Sequence, residues 1–203
     1  MNTSRLEAFS DGVFAVAITL LALDLTVAGP GKGNGSLAHQ LGHHWPSFAA
    51  YAVSFFIIGI TWVNHHDLFT SFAAVDRMLL FLNLLLLMFI VAIPFATSTM
   101  ATYLTTGGTD SHLAAALYAA VLEGMGVSFA AIFAWSTREG NRKVPLSREQ
   151  ARATGLRFGL GAIVYLFAIA IAFVNAPAAL ALIAAIAVYY MFQHVPPPEG
   201  GSA

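Results

Sequence analysis

The chain has 203 residues, of which 58% are hydrophobic and only 9% are charged, and its mean hydropathy is +0.75. A soluble domain carries about 25% charged residues because water must solvate its surface, so this composition excludes an ordinary soluble enzyme or binding module and predicts an integral membrane protein. The net charge of −1 gives no sign of a nucleic-acid partner. The absence of cysteine excludes disulfides and thiolate sites.

Apolar runs of about 20 residues, the length that crosses a bilayer as a helix, occur six times along the chain. Helix 1 is predicted from Arg5 to about Val27, followed by a glycine-rich loop over 29–42. The predicted bounds of the next helices are Trp45–Asp67, Arg77–Tyr103, His112–Thr137 and Leu156–Val174, and helix 6 runs from the Asn175-Ala176-Pro177 turn to about Gln193. Helices 5 and 6 are expected to form a hairpin whose turn barely emerges from the membrane.

These runs predict an all-α integral membrane protein with six transmembrane helices. Residues 1–195 are assigned to one transmembrane domain. Residues 196–203 begin with three prolines, which cannot continue a helix, and are predicted to be a disordered tail.

Lysine and arginine are distributed unequally between the two predicted sides of the membrane. Lys32 alone lies on one side, and positively charged loops stay in the cytoplasm, so both termini are predicted to be cytoplasmic. The stretch 138–157 is interpreted as a basic loop that anchors this topology. The eight cations on the cytoplasmic side are Arg5, Arg77, Arg138, Arg142, Lys143, Arg148, Arg152 and Arg157.

Polar side chains inside spanning helices are costly and mark candidate functional positions. Helix 1 carries Glu7, Ser10 and Asp11 near its predicted cytoplasmic end. Glu7 and Asp11 are four residues apart, share a helix face and repel each other, whereas Arg5 and Asp11 are about 240° apart and cannot pair. We therefore expect Asp11 or Arg5 to find a partner on another helix. A simple interfacial anchor explains the position of these groups equally well.

Two pairs of histidines have spacings that bear on metal binding. His65 and His66 are adjacent near the end of helix 2, but neighbours on a helix point about 100° apart and cannot easily grip one ion. His39 and His43 are four residues apart, which suits zinc if the segment is helical, although the surrounding glycines favour a solvated loop. We therefore predict no metal site.

Two further polar groups lie within predicted helices. Glu123 is either hydrogen-bonded packing or part of an ion path, and Asn83 is interpreted as hydrogen-bonding glue between helices. The sequence lacks the common nucleophile-elbow, metalloprotease and phosphate-loop signatures, so neither an enzyme nor a cofactor is predicted. The stretch 105–109 lacks the order of a potassium-channel filter and is interpreted as a turn.

Two runs carry a resemblance to a known family. They are Arg5-x-x-x-Phe9-Ser10-Asp11, continued to Leu21, and Ser54–His66, which contains Trp62-x-Asn64-His65-His66. They resemble the first two helices of the prokaryotic transmembrane protein 175 family, the bacterial relatives of the lysosomal potassium channel. The chain length and the six-helix layout also fit, so the resemblance covers essentially the whole chain.

This resemblance implies a potassium-selective channel of the bacterial plasma (inner) membrane that conducts K+ passively without a carbonyl-loop filter. It implies a homotetramer in which helix 1 of each subunit lines a central pore with a hydrophobic constriction. The pore-lining residues that it implies are Val16, Thr19, Leu20 and Leu23, whose spacing places them on one helix face. Val16 is smaller than the isoleucine or leucine expected at the narrowest point. Thr19 either contacts water and ions or bonds back to its own helix.

In the family, the polar motif of helix 1 bonds to neighbouring helices and holds helix 1 in place. The resemblance therefore implies an interhelical clamp. Its predicted members are Arg5, Phe9, Ser10 and Asp11 on helix 1, with Trp62, Asn64, His65 and His66 as partners on helix 2.

Two other functions are left open by the residues themselves. The first is a proton-coupled secondary transporter, in which Asp11, Glu123, His65 and His66 form a proton relay. The second is a membrane scaffold or an enzyme of unrecognised type. A transporter is expected to show coupled exchange and pairs of interrupted helices, whereas a channel conducts without coupling.

Overall fold

The structure is a computed structural model that describes residues 3–26 and 36–192. Within these ranges the chain is all-helical and contains no β-strand, which confirms the all-α part of the prediction. The helices in chain order are α1 (Thr3–Leu21), α2 (Leu37–His43), α3 (Trp45–Thr70), α4 (Arg77–Tyr103), α5 (Gly108–Ser136), α6 (Arg148–Ala172) and α7 (Ala176–Met191), and a 3-10 turn over Ala22–Asp24 extends α1.

Five of these helices are long and apolar enough to cross a membrane: α1 with its 3-10 turn, α3, α4, α5 and α6. A helix satisfies its backbone hydrogen bonds within its own segment, which is what the hydrocarbon core demands. The sixth predicted span, α7, is apolar but has only 16 residues. The described chain therefore contains five helices of spanning length and a shorter sixth.

The bundle consists of two groups of helices. In the first, α1 packs on α3 and α4; in the second, α6 packs on α5 and α7. The contact of α4 with α5 is the most extensive and joins the two groups. Gly124 permits this close approach, because a Cβ atom at that position would lie 2.2 Å from Cε1 of Phe89.

One end of the bundle, called the basic end below, contains the start of α1, the end of α3 and the start of α4. Asp76 ties this end together, since its carboxylate caps α4 by accepting from the Leu79 backbone N–H (2.7 Å) and also accepts from Trp135 Nε1 (3.1 Å). Phe72 and Arg142 form an isolated antiparallel bridge between the two loops of this end.

The start of α6 was predicted wrongly. The helix begins at Arg148 rather than at Leu156, because Ser147 and Gln150 form a capping box in which each side chain bonds to the other's backbone. The second half of the predicted basic loop over 138–157 is therefore helical. The error arose because only the apolar part of the helix was used to place its start.

Other parts of the prediction also differ from the structure. α5 begins at Gly108 rather than at His112, within the stretch 105–109 that was predicted as a turn, where Gly107 and Gly108 have φ angles of 72° and 67° that favour glycine. The helix Leu37–His43 begins within the expected loop over 29–42 and ends one residue beyond it. The predicted ends at Val27 and Gln193 and the tail over 196–203 lie outside the described residues.

Candidate functional site

The first helix has one buried and one exposed face. Its sequence is apolar all round from Gly12 to Leu23 apart from Thr19, so hydrophobicity alone does not select a face. Packing against α3 and α4 makes the selection, with a period of three to four residues. The buried residues are Leu6, Ser10, Phe14, Ala17 and Leu21.

All four predicted pore residues lie on the exposed face of the subunit. The side chains of Val16, Leu20 and Leu23 are 56%, 38% and 69% exposed. Thr19 is exposed as well, and its hydroxyl donates a hydrogen bond to the Val16 carbonyl over 2.8 Å. The hydroxyl hydrogen is thus used within the helix, and the oxygen keeps its lone pairs for another partner.

The two acidic groups of α1 each contact a different residue of α3. Trp62 Nε1 donates to Asp11 Oδ1 over 2.8 Å, and His66 Nδ1 lies 3.1 Å from Glu7 Oε1. The acids are four residues apart on α1 and their partners are four residues apart on α3, so one turn of each antiparallel helix faces one turn of the other. These contacts offset the repulsion between the two carboxylates.

A buried chain of hydrogen bonds, called the basic-end chain below, joins α3, α4 and α1. Asn83 Nδ2 donates to Ser10 Oγ, and Ser10 Oγ donates to the Leu6 carbonyl, both over 2.9 Å. His65 Nε2 is 2.9 Å from Asn83 Oδ1, and because an amide oxygen only accepts, this ring nitrogen carries the hydrogen. His65, Asn83 and Ser10 are all fully buried.

The basic-end chain is enclosed by aromatic rings. The imidazole of His65 stacks on Phe69 with a centroid distance of 3.8 Å and lies 5.4 Å from the ring of Phe14. This packing fixes the ring plane and directs Nε2 towards Asn83, which holds the buried face of α1 in register with α3 and α4.

The structure brings only part of the predicted clamp together. Asn64 points away from α1 and lines a cavity beside α5, α6 and α7. Phe9 is exposed on the same side of α1 as Val16, and Arg5 is exposed at the start of α1. The hydrogen bonds and ion pair described above involve the predicted residues Ser10, Asp11, Trp62, His65 and His66.

Two participants were absent from the predicted clamp. Glu7 and Asp11 are four residues apart on α1, and their partners His66 and Trp62 are four residues apart on α3. This matching spacing was visible in the sequence. Asn83 is a single amide in a 27-residue apolar helix, a context that indicates a bond to another helix. The interpretation of Asn83 as interhelical glue is confirmed by its two bonds.

A second buried chain, called the distal chain below, lies farther from the basic end. Thr97 Oγ1 donates to the Ile93 carbonyl over 2.8 Å, so it must accept from Ser54 Oγ, 2.7 Å away. The Ser54 hydrogen is thereby used, and Ser54 accepts from the Tyr118 hydroxyl over 2.8 Å. The distal chain runs from α5 through α3 to α4 and does not include α1.

The remaining titratable candidates do not join these chains. Among the described residues, no three His, Asp or Glu side chains are grouped so as to hold a metal ion. His39 and His43 share one face of α2, but they belong to no group of three ligands among the described residues that could hold a metal ion. Among the described residues, nothing forms a hydrogen bond with the buried Oε2 of Glu123.

Comparison with known proteins identifies the family. The sequence profile described as Endosomal/lysosomal potassium channel TMEM175 matches residues 5–94. A protein of Streptomyces collinus that is named a potassium channel is 50% identical over 205 residues, a match that covers 100% of this chain and 98% of the relative. The chain belongs to the TMEM175 family. Residues 5–94 contain the basic-end chain and the exposed face of α1, whereas Tyr118 of the distal chain lies beyond them.

A TMEM175 homolog of known structure shares this fold, and the names of TMEM175 proteins give different conducted ions. The crystal structure of a lysosomal potassium-selective channel TMEM175 homolog from Chamaesiphon minutus matches with a TM-score of 0.81 at 32% identity, covering 93% of this chain and 96% of that one. The Endosomal/lysosomal proton channel TMEM175 of Homo sapiens is 39% identical over 103 residues, which is 47% of this chain and 20% of that protein.

Proposed function

We propose that the chain forms a passive, potassium-selective channel in which the exposed face of α1 lines a central pore. The observation that carries this proposal is the division of α1 into two faces. One face is tied to α3 and α4 by buried hydrogen bonds, and the other presents Val16, Leu20 and Leu23 to the surroundings of the subunit. Membership of a family whose bacterial relatives are named potassium channels supports the same function.

One face of one helix cannot enclose a pore, so the proposed channel is an assembly of several subunits. We take the homotetramer expected from the family resemblance as that assembly. Four copies of α1 would then face one another across a central axis. The basic end would face the cytoplasm of a bacterium because lysine and arginine favour that side, with both termini there.

The proposed pore has a hydrophobic constriction and no carbonyl-loop filter. Among the described spanning segments the helices are continuous, so their interior carbonyl groups are engaged in helical hydrogen bonds rather than turned towards an ion. The exception is the Ile90 carbonyl, whose helical donor is missing at Pro94. Rings of Val16, Leu20 and Leu23 would exclude water when narrow and gate the pore by dewetting. Four Thr19 oxygens, whose hydrogens are directed to Val16, would offer their lone pairs to a permeating K+ ion.

A flux assay in liposomes with two separate arms tests this proposal. Liposomes loaded with K+ are diluted into Na+ medium, and proton uptake is followed with a pH-sensitive dye. With a protonophore added, proton uptake reports K+ efflux through the protein; with the potassium ionophore valinomycin added instead, it reports proton entry through the protein. A channel selective for K+ gives a large signal in the first arm alone.

A matched pair of variants tests whether the exposed face of α1 lines the pore. Val16 and Val188 are 56% and 51% exposed, but Val188 lies on α7. We expect Val16→Trp to abolish K+ flux because four indoles would fill the pore, and Val188→Trp to leave it unchanged. Equal flux in the two variants would show that this face of α1 contacts lipid instead.

Proton conduction through the same pore is the second candidate. It is favoured by the name proton channel that vertebrate relatives carry, and the valinomycin arm measures it directly. The proton relay of a coupled transporter has less structural support. Asp11 bonds to Trp62 and His65 bonds to Asn83, whereas Glu123 Oε2 has no hydrogen-bond partner among the described residues. Flux that appears only as coupled exchange would favour the transporter.

A further inference from the structure

A cavity of about 80 Å³ lies between α3, α5, α6 and α7, on the side of α3 that does not contact α1. This is several times the roughly 10–15 Å³ that a single water molecule requires, so the cavity can admit a group larger than water. Most of its walls are apolar and none of the residues that line it is charged. The groups with polar side chains are Thr61, Asn64, Tyr165 and Tyr190.

The cavity exists because two glycines face it. A Cβ atom at Gly126 would meet only Cδ2 of Tyr165, at 3.9 Å, so the volume of a side chain is left empty there. A Cβ atom at Gly161 would lie 2.7 Å from the Tyr190 hydroxyl, so that hydroxyl packs directly over the α6 backbone. The cavity wall therefore includes glycine backbone as well as the side chains of Tyr165 and Tyr190.

Asn64 supplies the polar feature of the cavity. It lies in the spanning helix α3, and no described residue forms a hydrogen bond with its carboxamide. A carboxamide without a partner is costly inside a membrane. Thr61, one turn away, donates its hydrogen to the Ile57 carbonyl over 2.8 Å, so its oxygen accepts from other groups. The cavity thus presents both donors and acceptors at one point of an otherwise apolar wall.

We propose that this cavity binds an uncharged amphiphile dissolved in the bilayer, with an alcohol or amide head at Asn64 and a short apolar tail among the aromatic side chains. The head satisfies the carboxamide, and the tail fills the space left by Gly126. A charged head is disfavoured because none of the lining residues offers an opposite charge in this low-dielectric environment.

The position of Asn64 on α3 connects the cavity to the clamp. At 100° per residue, Asn64 is about 200° away from both Trp62 and His66, which contact α1. One face of this part of α3 therefore contacts α1, and the opposite face lines the cavity. We expect an occupant of the cavity to shift α3 and change K+ flux, a step that rests on the proposed channel function, whereas the binding itself does not.

Photolabelling of the purified protein in phosphatidylcholine liposomes tests the binding. The probe is an octanol that carries a diazirine, and its adducts are mapped by peptide mass spectrometry. We expect adducts concentrated on the four cavity helices, with octanol competing and octane at the same membrane concentration failing to compete. Adducts spread evenly over lipid-facing helices, or equal competition by octane, would overturn the proposal.

Variants of the lining separate binding in the cavity from labelling elsewhere. Asn64→Leu removes the hydrogen-bonding group at nearly constant volume, and about 1 kcal/mol for the lost bond corresponds to about fivefold weaker labelling. Gly126→Leu should abolish labelling by filling the cavity, while Gly155→Leu, which faces open space on α6, should leave it unchanged. If Gly126→Leu does not fold, Asn64→Leu decides, and full labelling of that variant contradicts the proposal.

Flux measurements then test the coupling separately. Octanol should change K+ flux in the wild-type protein and in Gly155→Leu, but not in Asn64→Leu. Specific labelling with unchanged flux would overturn the coupling and leave the binding site supported. Absence of flux under all conditions, together with specific labelling, would contradict the channel function alone.

Discussion

The two buried hydrogen-bond chains differ in the helices that they join. Both pass through α3 and α4, and both end on a carbonyl one turn back along a helix, that of Leu6 or of Ile93. The basic-end chain includes α1, whereas the distal chain includes α5 instead. Polar contacts therefore hold α1 at its first three turns, and beyond them Phe14, Ala17 and Leu21 hold it by apolar packing alone.

This difference indicates where the proposed pore helix is fixed and where it moves. Hydrogen bonds are directional and fix position and register, whereas apolar contacts tolerate small sliding movements. The segment with Val16, Thr19, Leu20 and Leu23 follows the fixed part of α1. We therefore expect α1 to pivot about the basic end when the pore opens.

The largest effect is expected from breaking the basic-end chain at its centre. Asn83→Leu removes two hydrogen bonds and leaves the buried His65 N–H without an acceptor, so it should cost about 2–3 kcal/mol of stability. The measurement is thermal unfolding in detergent, followed by size-exclusion chromatography of the heated sample. A shift in Tm no larger than that of Tyr118→Phe would contradict the greater importance of the basic-end chain.

A smaller effect is expected from weakening the Asp11–Trp62 contact, which is partly exposed. Asp11→Asn replaces a charge-assisted bond with a neutral one and should cost about 1 kcal/mol, together with a lower tetramer yield or lower K+ flux. Trp62→Phe removes the same bond, so the double variant should be little worse than either single one. Additive losses, or normal assembly and flux in Asp11→Asn, would remove the clamp role of this pair.

The distal chain provides the contrast. Tyr118→Phe removes one hydroxyl and should cost about 0.6–1 kcal/mol, the typical value for a hydrogen bond between membrane helices. Because this chain does not include α1, K+ flux per folded tetramer should be unchanged. A loss of flux as large as that of Asp11→Asn would show that the two chains are not functionally distinct.

The smallest effect on stability is expected at Thr19. Thr19→Val removes an exposed hydroxyl that bonds only to its own helix, so unfolding should change by less than about 0.5 kcal/mol. The ratio of K+ to Na+ permeability in bilayer recordings should nevertheless fall, because the four oxygens are lost from the pore. An unchanged ratio would exclude the hydroxyl from selectivity.

Most helices were predictable from the sequence because their apolar runs approach the length of a membrane span. The bounds of α4 were predicted at Arg77 and Tyr103 and are found there. The start of α6 was missed although the Ser147-x-x-Gln150 signature was present. The first turns of this helix are polar, and a search for apolar runs does not detect them. The helix α2 was missed because the glycines before it indicated a loop.

The site was predictable only in part, for a physical reason. A charged or amide group inside a membrane needs a partner, so Asp11 and Asn83 could be singled out without coordinates. The direction in which Asn64 points could not be predicted, because neighbouring polar residues on α3 point to opposite sides of the helix. The exposed face of α1 was equally undecided by its own apolar residues, and the neighbouring helices determined it.

The short helix α7 sets a condition on the surrounding lipid. Its 16 residues rise about 24 Å, while the hydrocarbon core of a typical bilayer is about 30 Å thick. The turn before it exposes the apolar residues Phe173 and Val174, the latter to 79%, which suits a turn seated below the membrane surface. We therefore expect the bilayer beside α6 and α7 to be locally thinned, and lipids with shorter acyl chains to match this side of the protein best.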